Sequence, residues 1–126
     1  MVTSKIKKNI FVFGSNLAGR HGRGAALFAR RQHGARYGVG IGRSGNAYAI
    51  PTKGRDLETL SLEIICLHII NFIDYAKRHP ELTFNITKVG CGLAGYTESQ
   101  ILPMFDGSPP NCDFTWWSKE YEDSKL

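Results

Sequence analysis

Residues 14–26 read Gly-Ser-Asn-Leu-Ala-Gly-Arg-His-Gly-Arg-Gly-Ala-Ala and follow the apolar run Ile10-Phe11-Val12-Phe13. Glycines at 14, 19, 22 and 24 allow a backbone to approach a ligand closely, and the segment from Ala25 to Arg31 is rich in helix formers. A strand feeding a glycine-rich loop and then a helix N-terminus is a phosphate-binding arrangement. The free N–H groups and the helix dipole both favour negative charge there. The loop has neither the Gly-Lys-Ser/Thr ending of a P-loop nor the G-x-G-x-x-G of a dinucleotide fold, so it points only to a phosphate-bearing ligand. A surface loop with glycines at turn positions accounts for the same residues in a blander way.

A second stretch of this kind, Gly90-Cys91-Gly92-Leu93-Ala94-Gly95-Tyr96, follows the apolar residues that end at Val89. Lys53 stands just past a third run, Ala47-Tyr48-Ala49-Ile50. A lysine becomes a nucleophile when burial or nearby cations lower its pKa, and Arg55 is such a neighbour; a solvated loop lysine is the alternative. His21, inside the first loop, is a candidate phosphate donor or base, and equally a surface histidine. Cys66, Cys91 and Cys112 are odd in number and widely spaced, without zinc spacing. They read as structural thiols in a reducing compartment, and neither a metal nor a cofactor is expected.

These residues must be carried by a frame. Periodicity predicts strands at 10–13, 47–50 (stopped by Pro51), 82–89 and 112–116. Between them it predicts helices from Ala25, over 59–78, and from Glu98. Residues 37–46 are too rich in glycine for a good strand and read as a loop or an irregular hairpin. In the long helix Leu60, Ile64, Leu67, Ile70 and Ile73 recur as the apolar face, Thr59 is the expected N-cap and Pro80 the stop. Gly34 is the expected C-cap of the first helix, and Thr97 the N-cap of the third. Strand–helix alternation of this order predicts an α/β fold, a three-layer sandwich around a mostly parallel, mixed sheet. In such a sheet the loops at 14–24, 51–56 and 90–96 gather at one edge.

Size and composition agree with a single globular domain. The chain has 126 residues, 42% hydrophobic and 21% charged, and no apolar run of membrane-spanning length. The start at Met1–Lys5 lacks a secretory signal, which predicts a cytoplasmic protein without membrane contact. The domain is expected to end near residue 118, with 119–126, including Glu120, Glu122 and Asp123, as a polar tail. Net charge is +5, and Arg20, Arg23, Arg30, Arg31, Arg36 and Arg43 fall in a stretch without an acid. A basic block beside a glycine loop suits a polyanionic ligand.

Several of these segments resemble the macrodomains, the α/β modules that bind ADP-ribose. The stretch Val89 to Tyr96 resembles their diphosphate-binding loop. The stretch Arg20-His21-Gly22-Arg23-Gly24-Ala25-Ala26-Leu27-Phe28 resembles the first ligand loop of the compact branch, which includes the terminal ADP-ribose protein glycohydrolase and the antitoxin that removes ADP-ribose from DNA. Ile50-Pro51-Thr52-Lys53 resembles the strand end that carries that branch's catalytic lysine, and the matches keep the family's order over residues 10 to about 105. The whole chain also resembles a small family of macro-like proteins of bacteria and phages.

The resemblance implies that Gly90, Cys91, Gly92, Leu93 and Ala94 wrap a diphosphate with their backbone N–H groups, and Gly95 beside them is a further candidate ligand-binding residue. Arg20, His21, Gly22 and Gly24 would close the first loop over it, with Ser15 and Asn16 near a ribose or the adenine. Lys53 would attack C1″ of the opened distal ribose. Tyr96 is a candidate stacking partner for adenine or a residue packed beneath the loop. Ala94 stands where the protein glycohydrolase has an aspartate, a departure shared by the DNA-directed relatives, and Asp56 and Glu98 are the nearest replacements. The implied partners are ADP-ribose or a related NAD-derived nucleotide and, for a hydrolase, ADP-ribosylated DNA or protein. Two other readings remain: a non-catalytic binder that sequesters a nucleotide second messenger, and a basic nucleic-acid-binding protein, for which no recognition motif is present.

Overall fold

A computed structural model describes residues 8–121; the expected features at Met1–Lys5 and at Glu122 and Asp123 lie outside them. Five strands, β1 (Lys8–Asn16), β2 (Gly42–Ser44), β3 (Ala47–Lys53), β4 (Leu82–Ile86) and β5 (Cys112–Asp113), form one sheet in the order β2-β3-β1-β4-β5. Four of them run parallel, and only β2 is antiparallel to its neighbour β3. The fold is therefore α/β with a mostly parallel, mixed sheet. No helix among the described residues is long and apolar enough to cross a membrane.

The central strand shows why the sheet needs cover on both sides. Ile10 and Val12 point into one core with Ile50, Phe84 and Ile86, while Phe11 and Phe13 point into another with Ala47 and Ala49. Helix α1 (Gly24–Gln32) closes the second core through Ala29 and Phe28, and α2 (Leu62–Arg78) closes the first through Ile65, Ile69, Phe72 and Ala76. Each fully buried isoleucine or phenylalanine among these contributes roughly 1.5–3 kcal/mol. The short helix α3 (Glu98–Ile101) adds Ile101 to the α2 side.

Several boundaries differ from the periodic reading. β3 continues through Pro51 to Lys53, because β2 leaves it at Ala49 and a proline on an open edge breaks no ladder. Of the two readings of the glycine-rich segment, the hairpin holds: Gly45 turns at φ 57° with Asn46, and β2 pairs back onto β3. Ser61, not Thr59, caps α2, its hydroxyl accepting from the Ile64 N–H at 3.3 Å. The last predicted strand is only two residues long and passes into a 3₁₀ turn over Phe114–Trp116.

The expected apolar face of α2 is also wrong in part. The buried residues are Ile65, Ile69, Phe72, Ile73 and Ala76, whereas Ile64, Leu67 and Ile70 are exposed. The helix is apolar on two faces, so counting matches to a helical period selected the outer set. Gly34 does end α1, in the left-handed conformation at φ 76°, with the Ala35 N–H bonded back to Ala29 O. Gln100 accepts from the Thr97 N–H at 2.9 Å at the start of α3, and Pro103 falls in the 3₁₀ turn that follows it.

Candidate functional site

The C-terminal ends of β1, β3 and β4 open into a cavity of about 770 Å³, within the size range of small-molecule sites. The ends of β1 (Gly14, Ser15, Asn16) and β3 (Thr52, Lys53) form its floor, beside the loop from Thr87 to Ala94 and the first turn of α1. Three stretches far apart in sequence thus meet where β1, flanked by β3 and β4, ends, as parallel topology requires.

Two devices for holding an anion face this space. Helix α1 begins with Gly24, Ala25 and Ala26 on the cavity wall; its N-cap Arg23 makes no side-chain capping bond, and no acid lies in the first turn. Its first N–H groups and the positive end of its dipole are therefore left for a ligand or for water. In the second loop, the N–H groups of Gly90, Gly92, Leu93 and Ala94 donate to no acceptor among the described residues. Successive amides free in this way form a concave anion site.

Glycine is used for different reasons at different places. Gly40 lies against the carbonyls of Asn16 and Leu17, so closely that any Cβ would collide with them, and Gly19 lies equally close to Gly38. These two hold the first loop against residues 38–40. At Gly22 and Gly92 a Cβ would meet nothing within 4 Å and no left-handed φ requires glycine, yet both line the cavity. Neither packing nor backbone conformation requires glycine at these two positions, and both leave open space on the cavity side.

Charge at the cavity is one-sided. Arg20, Arg23, Lys53, Lys88 and Lys119 line it, and Glu120 is the acid among its described lining residues. Lys53 is half-buried; its backbone faces Asn16 across the sheet and forms a bridge with Thr59. Tyr37, Leu57 and Leu93 make an exposed apolar rim. Leu57 holds a left-handed backbone at φ 66°, alone among the described non-glycine residues. That conformation costs roughly 1–2 kcal/mol, and such strain gathers at binding sites.

Of the residues singled out from sequence, Lys53, Arg20, Gly22, Gly24, Gly90, Cys91, Gly92, Leu93 and Ala94 line the cavity. Ser15 and Asn16 line it too, but their polar atoms are engaged in building the loop: Ser15 Oγ donates to Gly40 O, and Asn16 bonds both the N–H and the carbonyl of Arg20 at 2.9 Å. Burial pushes the Cys91 thiol up, away from the thiolate.

Three expectations are corrected. His21 does not reach the cavity; it is fully buried beneath the loop, with Nε2 3.1 Å from Val39 O and its ring edge-on to Phe13. Gly95 lies outside the lining. Tyr96 packs against the α2-side core, and its hydroxyl donates to Leu60 O at 2.8 Å, so its ring is not offered to a base. Of the two replacement acids, Glu98 accepts from the Trp117 indole at 3.0 Å, and neither it nor Asp56 lines the cavity.

Lys88 was legible as the charged residue at the end of a strand run. Lys119, Glu120 and Tyr121 were not, because the expected tail folds back: Tyr121 packs on Phe11 and Phe28 at 5.3 and 4.9 Å between ring centroids. Searches against protein-family models, characterised proteins and solved structures find no match to this chain.

Proposed function

We propose that the protein is macrodomain-like and binds ADP-ribose or a related NAD-derived nucleotide, with the diphosphate lying between the start of α1 and the loop from Gly90 to Ala94. The observation that carries this reading is the pairing of two independent anion-holding elements across one cavity: a helix N-terminus without a side-chain cap and four amides that, among the described residues, find no acceptor. The surrounding lysines and arginines, and the open space before Gly22 and Gly92, support it. The apolar rim of Tyr37, Leu57 and Leu93 suits the base of a nucleotide better than inorganic phosphate.

The hydrolytic form of this reading rests on Lys53, at the end of β3 and on the cavity wall. Its amine adds to C1″ of the opened distal ribose, the linked group leaves with a proton, and water releases ADP-ribose and the lysine. Calorimetric titration is expected to show ADP-ribose binding more tightly than ADP, AMP or phosphate; absence of heat at millimolar ADP-ribose overturns the nucleotide reading. Incubation with ADP-ribosylated DNA or protein is expected to release ADP-ribose, and Lys53→Ala to abolish release while still binding the product. Equal release by the variant removes Lys53 from the chemistry, and binding without release by either protein leaves a sequestering function.

A further inference from the structure

The segment from Lys119 to Tyr121 gives the cavity a group that anion binding does not account for. All three residues line it, and Glu120 is an acid among lining lysines and arginines. Anchors on either side fix its position. The Tyr121 ring lies 5.3 and 4.9 Å from those of Phe11 and Phe28, and the Lys119 ammonium rests 4.0 Å over the Trp116 ring. Glu120 itself is exposed, and among the described residues no hydrogen bond or ion pair engages its carboxylate. On a site built for an anion, a carboxylate repels the ligand unless it meets a part that offers hydrogen-bond donors.

The sheet order identifies that part. Lys53 ends β3 on one side of β1, and Lys88 follows β4 on the other. The 3₁₀ turn Phe114–Trp116 packs against β4, so the segment after it reaches the cavity from the β4 side. Two strand spacings, about 10 Å, separate the ends of β3 and β4. A dinucleotide with its diphosphate over the end of β1 and its distal ribose at Lys53 therefore has its adenosine on the β4 side. The 2′ and 3′ hydroxyls of that ribose are vicinal donors, and one carboxylate accepts from both. A 2′-phosphate in the same place sets two anions together. We propose that Glu120 binds the adenosine ribose and makes the site selective for NAD-derived over NADP-derived ligands; this rests on the nucleotide reading above, with the distal ribose at Lys53.

Calorimetric titration with ADP-ribose and with 2′-phospho-ADP-ribose tests this. Wild type is expected to bind ADP-ribose at least tenfold more tightly than its 2′-phosphorylated form. Glu120→Gln, which keeps an acceptor but loses the charge, is expected to cut that preference at least threefold, and Glu120→Lys to reverse it. Both variants are expected to keep the wild-type circular dichroism, because residue 120 is exposed. A wild type that binds the 2′-phosphorylated ligand as tightly or more so, its phosphate taken by Lys88 or Lys119, overturns the proposal. So does a Glu120→Gln variant that keeps the wild-type preference. In both of these outcomes ADP-ribose still binds and the nucleotide reading stands, whereas absence of heat with either ligand overturns the two together.

Discussion

Gly92 and Lys53 illustrate two kinds of site residue. Lys53 was legible from its type and its place after a strand. Gly92 gains meaning only when its surroundings are known to be empty and its backbone unstrained. Gly92→Ala is therefore expected to change unfolding free energy by less than about 0.5 kcal/mol, the range of surface substitutions. It should nevertheless weaken ADP-ribose binding about tenfold, the equivalent of one lost bond to a charged group. Chemical denaturation and calorimetry on the same variant separate the two effects. A large loss of stability would show that the glycine serves the fold instead. His21 is the opposite case, a chemically attractive residue in a loop sequence that the fold buries beneath that loop.

Elements hold the site in place through bonds that local sequence does not announce. Asn111 is buried, and the two hydrogens of its side-chain amide are shared among the carbonyls of Ala76, His79 and Leu82, which lie 3.1, 3.0 and 3.0 Å from Nδ2. It ties the end of α2 to the start of β4, whose far end leads into the cavity loop. Asn111→Asp keeps the shape but turns a donor into an acceptor facing three carbonyls. It is expected to cost about 3 kcal/mol, read from the urea midpoint at neutral pH. A cost below about 1 kcal/mol would mean that water relieves the carbonyls. Helix and strand positions were largely visible in the periodicity, whereas the hairpin through Gly45, the extension of β3 past Pro51 and the cap at Ser61 depended on which edges and ends were left open.

At the scale of the molecule, one buried histidine, His21, and two half-buried ones, His33 and His68, couple the fold to pH. Burial lowers the pKa of His21, His33 and His68 from the ordinary 6.5, and for His21 the Arg30 charge lowers it further, against the opposing bond to Val39 O. The unfolded chain then takes up protons at a higher pH than the folded one. The stability these groups contribute is complete above pH 6.5 and is lost as pH falls toward their folded values. Urea midpoints are expected to drop between pH 7 and pH 5, and His21→Gln to flatten that drop. A midpoint that rises on acidification would contradict the assigned direction.

The order of elements, the parallel sheet and the meeting of three loops at one edge were fixed by local patterns, because β-branched runs, glycine turns and helical spacing act over neighbouring residues and parallel topology then brings the strand ends together. Packing settled which face of α2 is core, how deep His21 lies, where Tyr96 points and whether the chain after Trp117 belongs to the site. Each of these depends on which of two comparable apolar surfaces meets the sheet, or on contacts between segments such as Phe11 and Tyr121 that lie a whole chain apart.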